Sequence, residues 1–137
     1  MNGIVHGRRM FKPSVVFDTC AMIAIIKNKL GNGSLVSLPA NINAAVSVIT
    51  KIELLAYPNL SPPEEFQIRL LLKKRFKVVP LNKKIEQTAI LIRSKTKLKL
   101  PDSIIAATAV HKKALLISGD EQLLALKWSG LQVQGIS

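Results

Sequence analysis

The chain contains three aspartates, and each stands where chemistry could use it. Asp18 ends the apolar run Ser14-Val15-Val16-Phe17. Asp120 ends a second run, Ala114-Leu115-Leu116-Ile117-Ser118-Gly119. Asp102 opens an apolar helical stretch directly after Leu100-Pro101. A fourth acid, Glu53, lies in Thr50-Lys51-Ile52-Glu53-Leu54-Leu55. Four acids placed this way in a chain of net charge +12 point to one anionic cluster in a basic protein. A divalent-metal site acting on nucleic acid has that charge pattern.

Magnesium prefers oxygen ligands and keeps several of its waters, so a few carboxylates and a substrate phosphate suffice to hold it. Such an ion lowers the pKa of a bound water and neutralises phosphodiester charge, and a second ion can stabilise the leaving oxygen. No side-chain nucleophile is then needed. Each acid also has a structural reading. Asp18 can cap the helix that follows it. Glu53 sits three after Thr50, a capping-box spacing. Asp102 can favour a helix dipole, and Asp120 can cap a helix starting at Glu121. The joint pattern raises the chemical reading above these.

The elements that must bring the acids together alternate. Residues 14–18 read as a short buried strand, and Thr19 can cap a helix through Cys20, Met22, Ile23 and Ile26 that stops before Gly31-Asn32-Gly33. Ala44–Val48 reads as a strand, with a helix from Thr50 to about Tyr57. Ser61, Pro62 and Glu64 form a helix-start signature. That helix is expected to turn Phe66, Leu70 and Leu71 inward. Residues 77–80 read as a strand, Asn82 as the cap of a helix through Ile85, Ala89 and Ile92, and Pro101 as the start of a helix carrying Ile104, Ile105, Ala107 and Ala109. Strands at 114–118 and 131–136 flank a short helix, 121–126. Alternating strands and helices imply one α/β domain over residues 13–137, a parallel central sheet with helices on both faces. Residues 1–12 read as a flexible N-terminal arm, within which Met10 is an alternative start. Sites in such sheets form beyond the carboxyl ends of the strands. Asp18 and Asp120 would lie there, and Asp102 and Glu53 would approach from helix starts.

Composition bounds the rest. At 137 residues, 48% of them hydrophobic, the chain is one folded domain with a core of Leu, Ile, Val and Ala. Twenty Lys and Arg against eight Asp and Glu make a polyanion the first partner to consider. Cys20 is the one cysteine, which excludes an intramolecular disulfide and fits a reducing cytoplasm. With only His6 and His111 beside it, a Cys/His structural zinc site is excluded too. No apolar run approaches the roughly 18–20 residues of a membrane span. A glycine-rich Lys-Ser/Thr loop is absent, which excludes a P-loop enzyme.

The four acidic segments together resemble the PIN-domain nucleases, and more specifically the VapC ribonuclease toxins of type II toxin–antitoxin modules. Val15 to Thr19 is similar to the family's opening strand and first aspartate. Ser47 to Leu55 is similar to its second motif, with Glu53 as the acid. Leu100 to Ala109 is the most specific match and carries Asp102. Leu115 to Asp120 is similar to the fourth, with Ser118 where the family usually has Thr or Ser. The likeness runs in order from Val15 to about Leu126. It implies a PIN fold, Mg²⁺ or Mn²⁺, endonucleolytic cleavage of RNA, a small antitoxin partner and a homodimer. It also implies Asp18, Glu53, Asp102 and Asp120 as catalytic and metal-binding residues, supported by Thr19 and Ser118. Two departures stand out: Cys20 replaces a frequent Asn, and Gln122-Leu123 follow Glu121 where the family often has an acid and then Phe.

Arg93, Lys95, Lys97 and Lys99 lead into Asp102 and are the better candidates for RNA phosphates. Lys73, Lys74, Arg75 and Lys77 read as a solvated face, and Lys83-Lys84 and Lys112-Lys113 add pairs. Aromatic residues, 4% of the chain, are too few for a base-stacking platform, and Trp128 reads as a seal for the core or an interface. The competing readings are a catalytically inactive RNA-binding module of the same fold and a phosphotransfer domain with a strand-end aspartate nucleophile. The second wants a further acid near Asp18, where Cys20 stands instead.

Overall fold

The computed structural model describes residues 4–5, 8–9, 12–32 and 41–136, with side chains described from residue 12 to 27 and from 41 onward. Two short strands, β1 (Ile4–Val5) and β2 (Arg8–Arg9), pair with each other. The rest of the arm expected over residues 1–12, including Met10, lies largely outside the described residues. Five further strands form one sheet: β3 (Ser14–Phe17), β4 (Asn43–Ser47), β5 (Lys77–Val79), β6 (Leu115–Ser118) and β7 (Gln132–Gly135). Their order is β5-β4-β3-β6-β7, and every pairing is parallel.

Among the described residues six helices cover both faces, as the alternation of elements predicts: α1 (Thr19–Asn32), α2 (Val48–Leu55), α3 (Pro62–Arg75), α4 (Lys83–Lys95), α5 (Leu100–Lys112) and α6 (Glu121–Ala125). The central strand shows why both faces must be covered. Val15 and Phe17 point into one apolar cluster with Met22, Leu54, Ile68 and Leu72. Val16 points the other way, into a cluster with Ile85, Ile92, Ile105 and Leu116. Successive side chains of a strand alternate faces, so an all-apolar strand needs two layers. Phe17 and Phe76 meet edge to face, ring centres 5.7 Å apart. On the far face, Ala106, Ala107 and Ala109 are wholly buried. Their small side chains allow α5 to lie close to the sheet and to α4. Trp128 packs against this cluster, which is the sealing role its sequence position predicts.

Four local expectations are corrected. α1 continues through Gly31 to Asn32 instead of stopping before it. Asp18, not Thr19, caps that helix: its Oδ1 accepts from the Ala21 N–H at 2.7 Å. Likewise Ser47, not Thr50, caps α2, accepting from the Ile49 N–H at 3.1 Å. Thr50 is inside the helix and wholly buried. In α3 the capping box of Ser61 and Glu64 forms as expected, yet Phe66 is 63% exposed and Leu70 only half-buried. Ile68, Leu71 and Leu72 face the core instead. They share one stripe of the helix, and Phe66, two residues before Ile68, falls roughly 200° away from it.

Candidate active site

The sheet order creates the crevice. From β3 the chain adds β4 and β5 on one side, while β6 and β7 lie on the other. Ligand crevices of open α/β sheets form beyond the carboxyl ends of the strands at such a reversal. Asp18 directly follows β3, and its N–H bonds to the Ile117 carbonyl of β6 at 3.0 Å. Asp120 lies two residues beyond Ser118, where β6 ends.

One hydroxyl ties the two acids together. Ser118 donates to Asp18 Oδ2 at 2.5 Å, and its oxygen accepts the Asp120 N–H at 2.9 Å. Asp18 is 2% exposed, so both of its oxygens need partners. Ala21 and Ser118 supply them. Asp120 caps α6 with Oδ1, which accepts from Gln122 N at 2.7 Å and Leu123 N at 3.3 Å. Among the described residues nothing hydrogen-bonds its Oδ2. Capping thus occupies one oxygen of each of these two acids, so the capping reading and the chemical reading are compatible.

Glu53 comes from α2. The Thr19 hydroxyl donates to Glu53 Oε1 at 2.6 Å and lies 3.1 Å from the Thr50 hydroxyl. A threonine has one hydroxyl proton, so with that proton on Glu53, Thr50 is the donor in the second contact. The spacing of Thr50 to Glu53 predicts a capping box, and Thr50 holds the acid's neighbour instead. The same three-residue spacing places two side chains on one helix face. Asp102 lies in the first turn of α5, half-buried, and no hydrogen bond satisfies its carboxylate among the described residues.

All four acids line one cavity of about 310 Å³, with Thr19, Cys20, Ile23, Lys99 and Pro101. Of the basic run before Asp102, only Lys99 reaches it. Arg93 instead donates to the Leu98 carbonyl at 2.8 Å, closing the α4–α5 connection. Lys95 and Lys97 are exposed and do not line the cavity.

Burial and charge set the protonation states. Asp18 is raised above its ordinary value by burial, against the hydrogen bonds from Ser118 and Ala21, with Asp120 pushing it further up. Asp102 is pushed up to about 6, first by burial and then by Asp120, Asp18 and Glu53, with Lys99 opposing. Burial and the Asp18 and Asp120 charges also push the Cys20 thiol up. Cys20 is therefore kept as the thiol, the poorer nucleophile.

The chemistry of the donor set fits a hard divalent cation: four carboxylates in one cavity, one without a hydrogen-bond partner, and mutual repulsion that a cation would relieve. Among the described residues no three of these acids already form a closed ligand set. An ion that keeps most of its waters needs no such set. Both departures lie beside the site. A Cβ on Gly119 would sit 2.6 Å from Cys20 Sγ and 2.7 Å from Ile136 Cδ1, so a side chain there would displace Cys20 or Ile136. Leu123 is wholly buried in the core, and Glu121 is exposed outside the cavity.

A family model described as PIN domain matches residues 15–128. Among solved structures, the chain is similar to a toxin–antitoxin complex from Klebsiella pneumoniae, with 27% identity, a TM-score of 0.66, and 85% of this chain and 94% of that chain covered. It is also similar to VapBC-1 from nontypeable Haemophilus influenzae, with 25% identity, a TM-score of 0.62 and coverage of 90% and 98%. DNA-bound VapBC from Salmonella typhimurium shares the fold at 18% identity, with a TM-score of 0.70 and coverage of 91% and 99%. No curated protein matches the chain by sequence.

Proposed function

This chain belongs to the PIN-domain family, and on that premise we propose that it is a metal-dependent endoribonuclease, the toxin of a toxin–antitoxin pair. The observation that carries this reading is the convergence of Asp18, Glu53, Asp102 and Asp120 on one cavity in a chain of net charge +12. Mg²⁺ or Mn²⁺ bound there would supply an activated water and neutralise phosphodiester charge. Asp18, Asp102, Asp120 and Glu53 are the residues that would hold it.

The chain's own groups prepare the site. Ser118 fixes Asp18 and Asp120 relative to each other. Thr19 and Thr50 fix Glu53. Asp102 takes up a proton when its neighbours are uncompensated and releases it as counter-charge arrives. Lys99, at the same rim, would meet a substrate phosphate. Arg93, Lys95 and Lys97 would extend the contact only along a longer strand of RNA.

An antitoxin partner has a surface available. An apolar cavity of about 430 Å³ lies among α1, α2 and α3, lined by Ile26, Leu54, Tyr57, Leu60 and Ile68, and Ile23 lines both this cavity and the acidic one. A bound segment could run from the apolar groove to the acids. The relatives solved as complexes with antitoxins support such a partner. A homodimer and a cytoplasmic location belong to the same reading. Among the described residues no helix is long and apolar enough to cross a membrane.

The net charge of +12 would hold RNA without any metal, which favours the second reading, a catalytically inactive PIN-like RNA-binding module. One experiment separates the two. Purified protein is incubated with total RNA in Mg²⁺, Mn²⁺ or EDTA. The nuclease reading expects cleavage to 5′-phosphate ends that stops in EDTA and in Asp18→Asn. RNA binding without cleavage in any metal would establish the inactive module.

A further inference from the structure

Two basic runs that the acidic cavity leaves unused meet at the opposite end of the sheet. Arg75 ends α3, Lys77 begins β5 and Lys112 ends α5. All three line a cavity of about 480 Å³ at the amino ends of β3, β4 and β5. Its floor includes Val16 and Val79, both buried, and Asn43 lies at its rim. Because all five strands run parallel, this cavity and the acidic one stand at opposite poles of one sheet. Among the described residues no acid lines it.

We propose that this cavity is a phosphate-binding site, and that its occupant is the RNA backbone at a distance from the scissile bond. The inference rests on RNA as the substrate. Cations over a low-dielectric floor focus their field outward and raise the local concentration of anions. Two ammonium groups match phosphate oxygens as point charges, and the Arg75 guanidinium adds its charge to their field. The acidic pole needs such help. Four carboxylates repel a polyanion and, among the described residues, Lys99 is the one cation lining their cavity, so further cations elsewhere on the surface would strengthen RNA binding. The runs around Lys73–Lys77 and Lys112–Lys113 are far apart in the chain, and the fold makes one basic pole of them.

The test compares three proteins: the unmodified chain, Lys77→Ala with Lys112→Ala, and Lys83→Ala with Lys84→Ala. The last pair removes equal charge from the exposed first turn of α4, outside the cavity. Binding of a labelled single-stranded RNA is followed in EDTA over a salt series. The cavity variant should flatten the slope of log affinity against log salt by about 1.4, roughly 0.7 for each lost contact, and more than the control variant does. Lys77→Gln alone should flatten it by about 0.7, which keeps the test available where the double variant fails to fold. Tripolyphosphate should compete with RNA on the unmodified protein, and polyglutamate should not. Equal slopes for the two double variants would overturn the site. Competition by polyglutamate alone would overturn it in favour of an acidic protein partner. If Mg²⁺-dependent cleavage is absent but Lys77- and Lys112-dependent tripolyphosphate binding persists, the nuclease reading fails. The cavity then stands as a phosphate site, for RNA where the cavity variant still flattens the salt slope and for a free phosphate ligand where the unmodified protein binds no RNA.

Discussion

Ser118 and Asp18, 100 residues apart, share a 2.5 Å hydrogen bond across the β3–β6 ladder. That bond opposes the burial that raises the Asp18 carboxyl. Ser118→Ala should therefore raise Asp18 further and leave one of its oxygens unsatisfied. The expected cost is about 1–3 kcal/mol of stability, the range for a buried polar group that loses its partner. The acid limb of the cleavage pH profile should move to higher pH, and Ser118→Thr should restore it. Unchanged denaturant midpoint and pH profile in Ser118→Ala would show that the bond positions nothing.

Thr50 makes the second prediction. It is wholly buried and touches the reactive end of the site only through the Thr19 hydroxyl. Thr50→Val keeps the shape and removes the donor; Thr50→Ser keeps the donor. The first should lower kcat about fivefold, the effect of one hydrogen bond worth about 1 kcal/mol, with KM for RNA unchanged. The second should recover most of the loss. Equal kcat in both variants would reduce Thr50 to a packing residue.

Lys99 and Lys95 should differ although both precede Asp102 in one basic run. Lys99 lines the cavity and holds Asp102 down against its neighbours. Lys99→Ala should raise the Asp102 carboxyl above about 6 and flatten the salt slope of RNA binding by roughly 0.7. Lys95→Ala should leave the Asp102 titration in place. Carbon-detected NMR titration of the two variants measures the difference, and equal shifts would deny Lys99 its place at the site.

The legible and illegible parts of the sequence separate along physical lines. β3 and β6 were readable because short apolar runs ending in an acid have few other uses. The gathering of the four acids followed from the parallel sheet, since strand ends and helix starts share one rim. The phase of α3 was not readable. Phe66, Ile68, Leu70, Leu71 and Leu72 spread round the helix, and only packing against Phe17 and Leu54 selects Ile68, Leu71 and Leu72. Thr50 and Glu53 were ambiguous because one spacing serves both a capping box and a shared helix face. The strand end at Ser47 decides between them. The use of Arg93 depends on how the α4–α5 connection curls back to offer the Leu98 carbonyl, which no local pattern encodes.

Asp102 links stability, pH and metal in one set of measurements. Its carboxyl titrates at about 6 in the folded chain against an ordinary 3.8. The folded state therefore holds its proton more tightly than the unfolded state does. The stability it contributes is fully present below about pH 4 and is lost as pH rises through about 6. At neutral pH the ionised group is a liability, and Asp102→Asn removes it without changing shape. Because Asp102 is only half-buried, solvent screening reduces the effect, and a gain on the order of 1 kcal/mol is expected for the metal-free variant. That gain should vanish near pH 4, where the unmodified carboxyl is protonated. Mg²⁺ or Mn²⁺ should raise the Tm of the unmodified protein at pH 7 by mass action, and should raise that of Asp102→Asn much less. Thermal melts of both proteins at the two pH values, with EDTA and with metal, measure every term. A variant that melts lower than the parent in EDTA at pH 7 and responds equally to metal would leave Asp102 as a helix-start residue. The metal-site reading would then have to stand on Asp18, Glu53 and Asp120 alone.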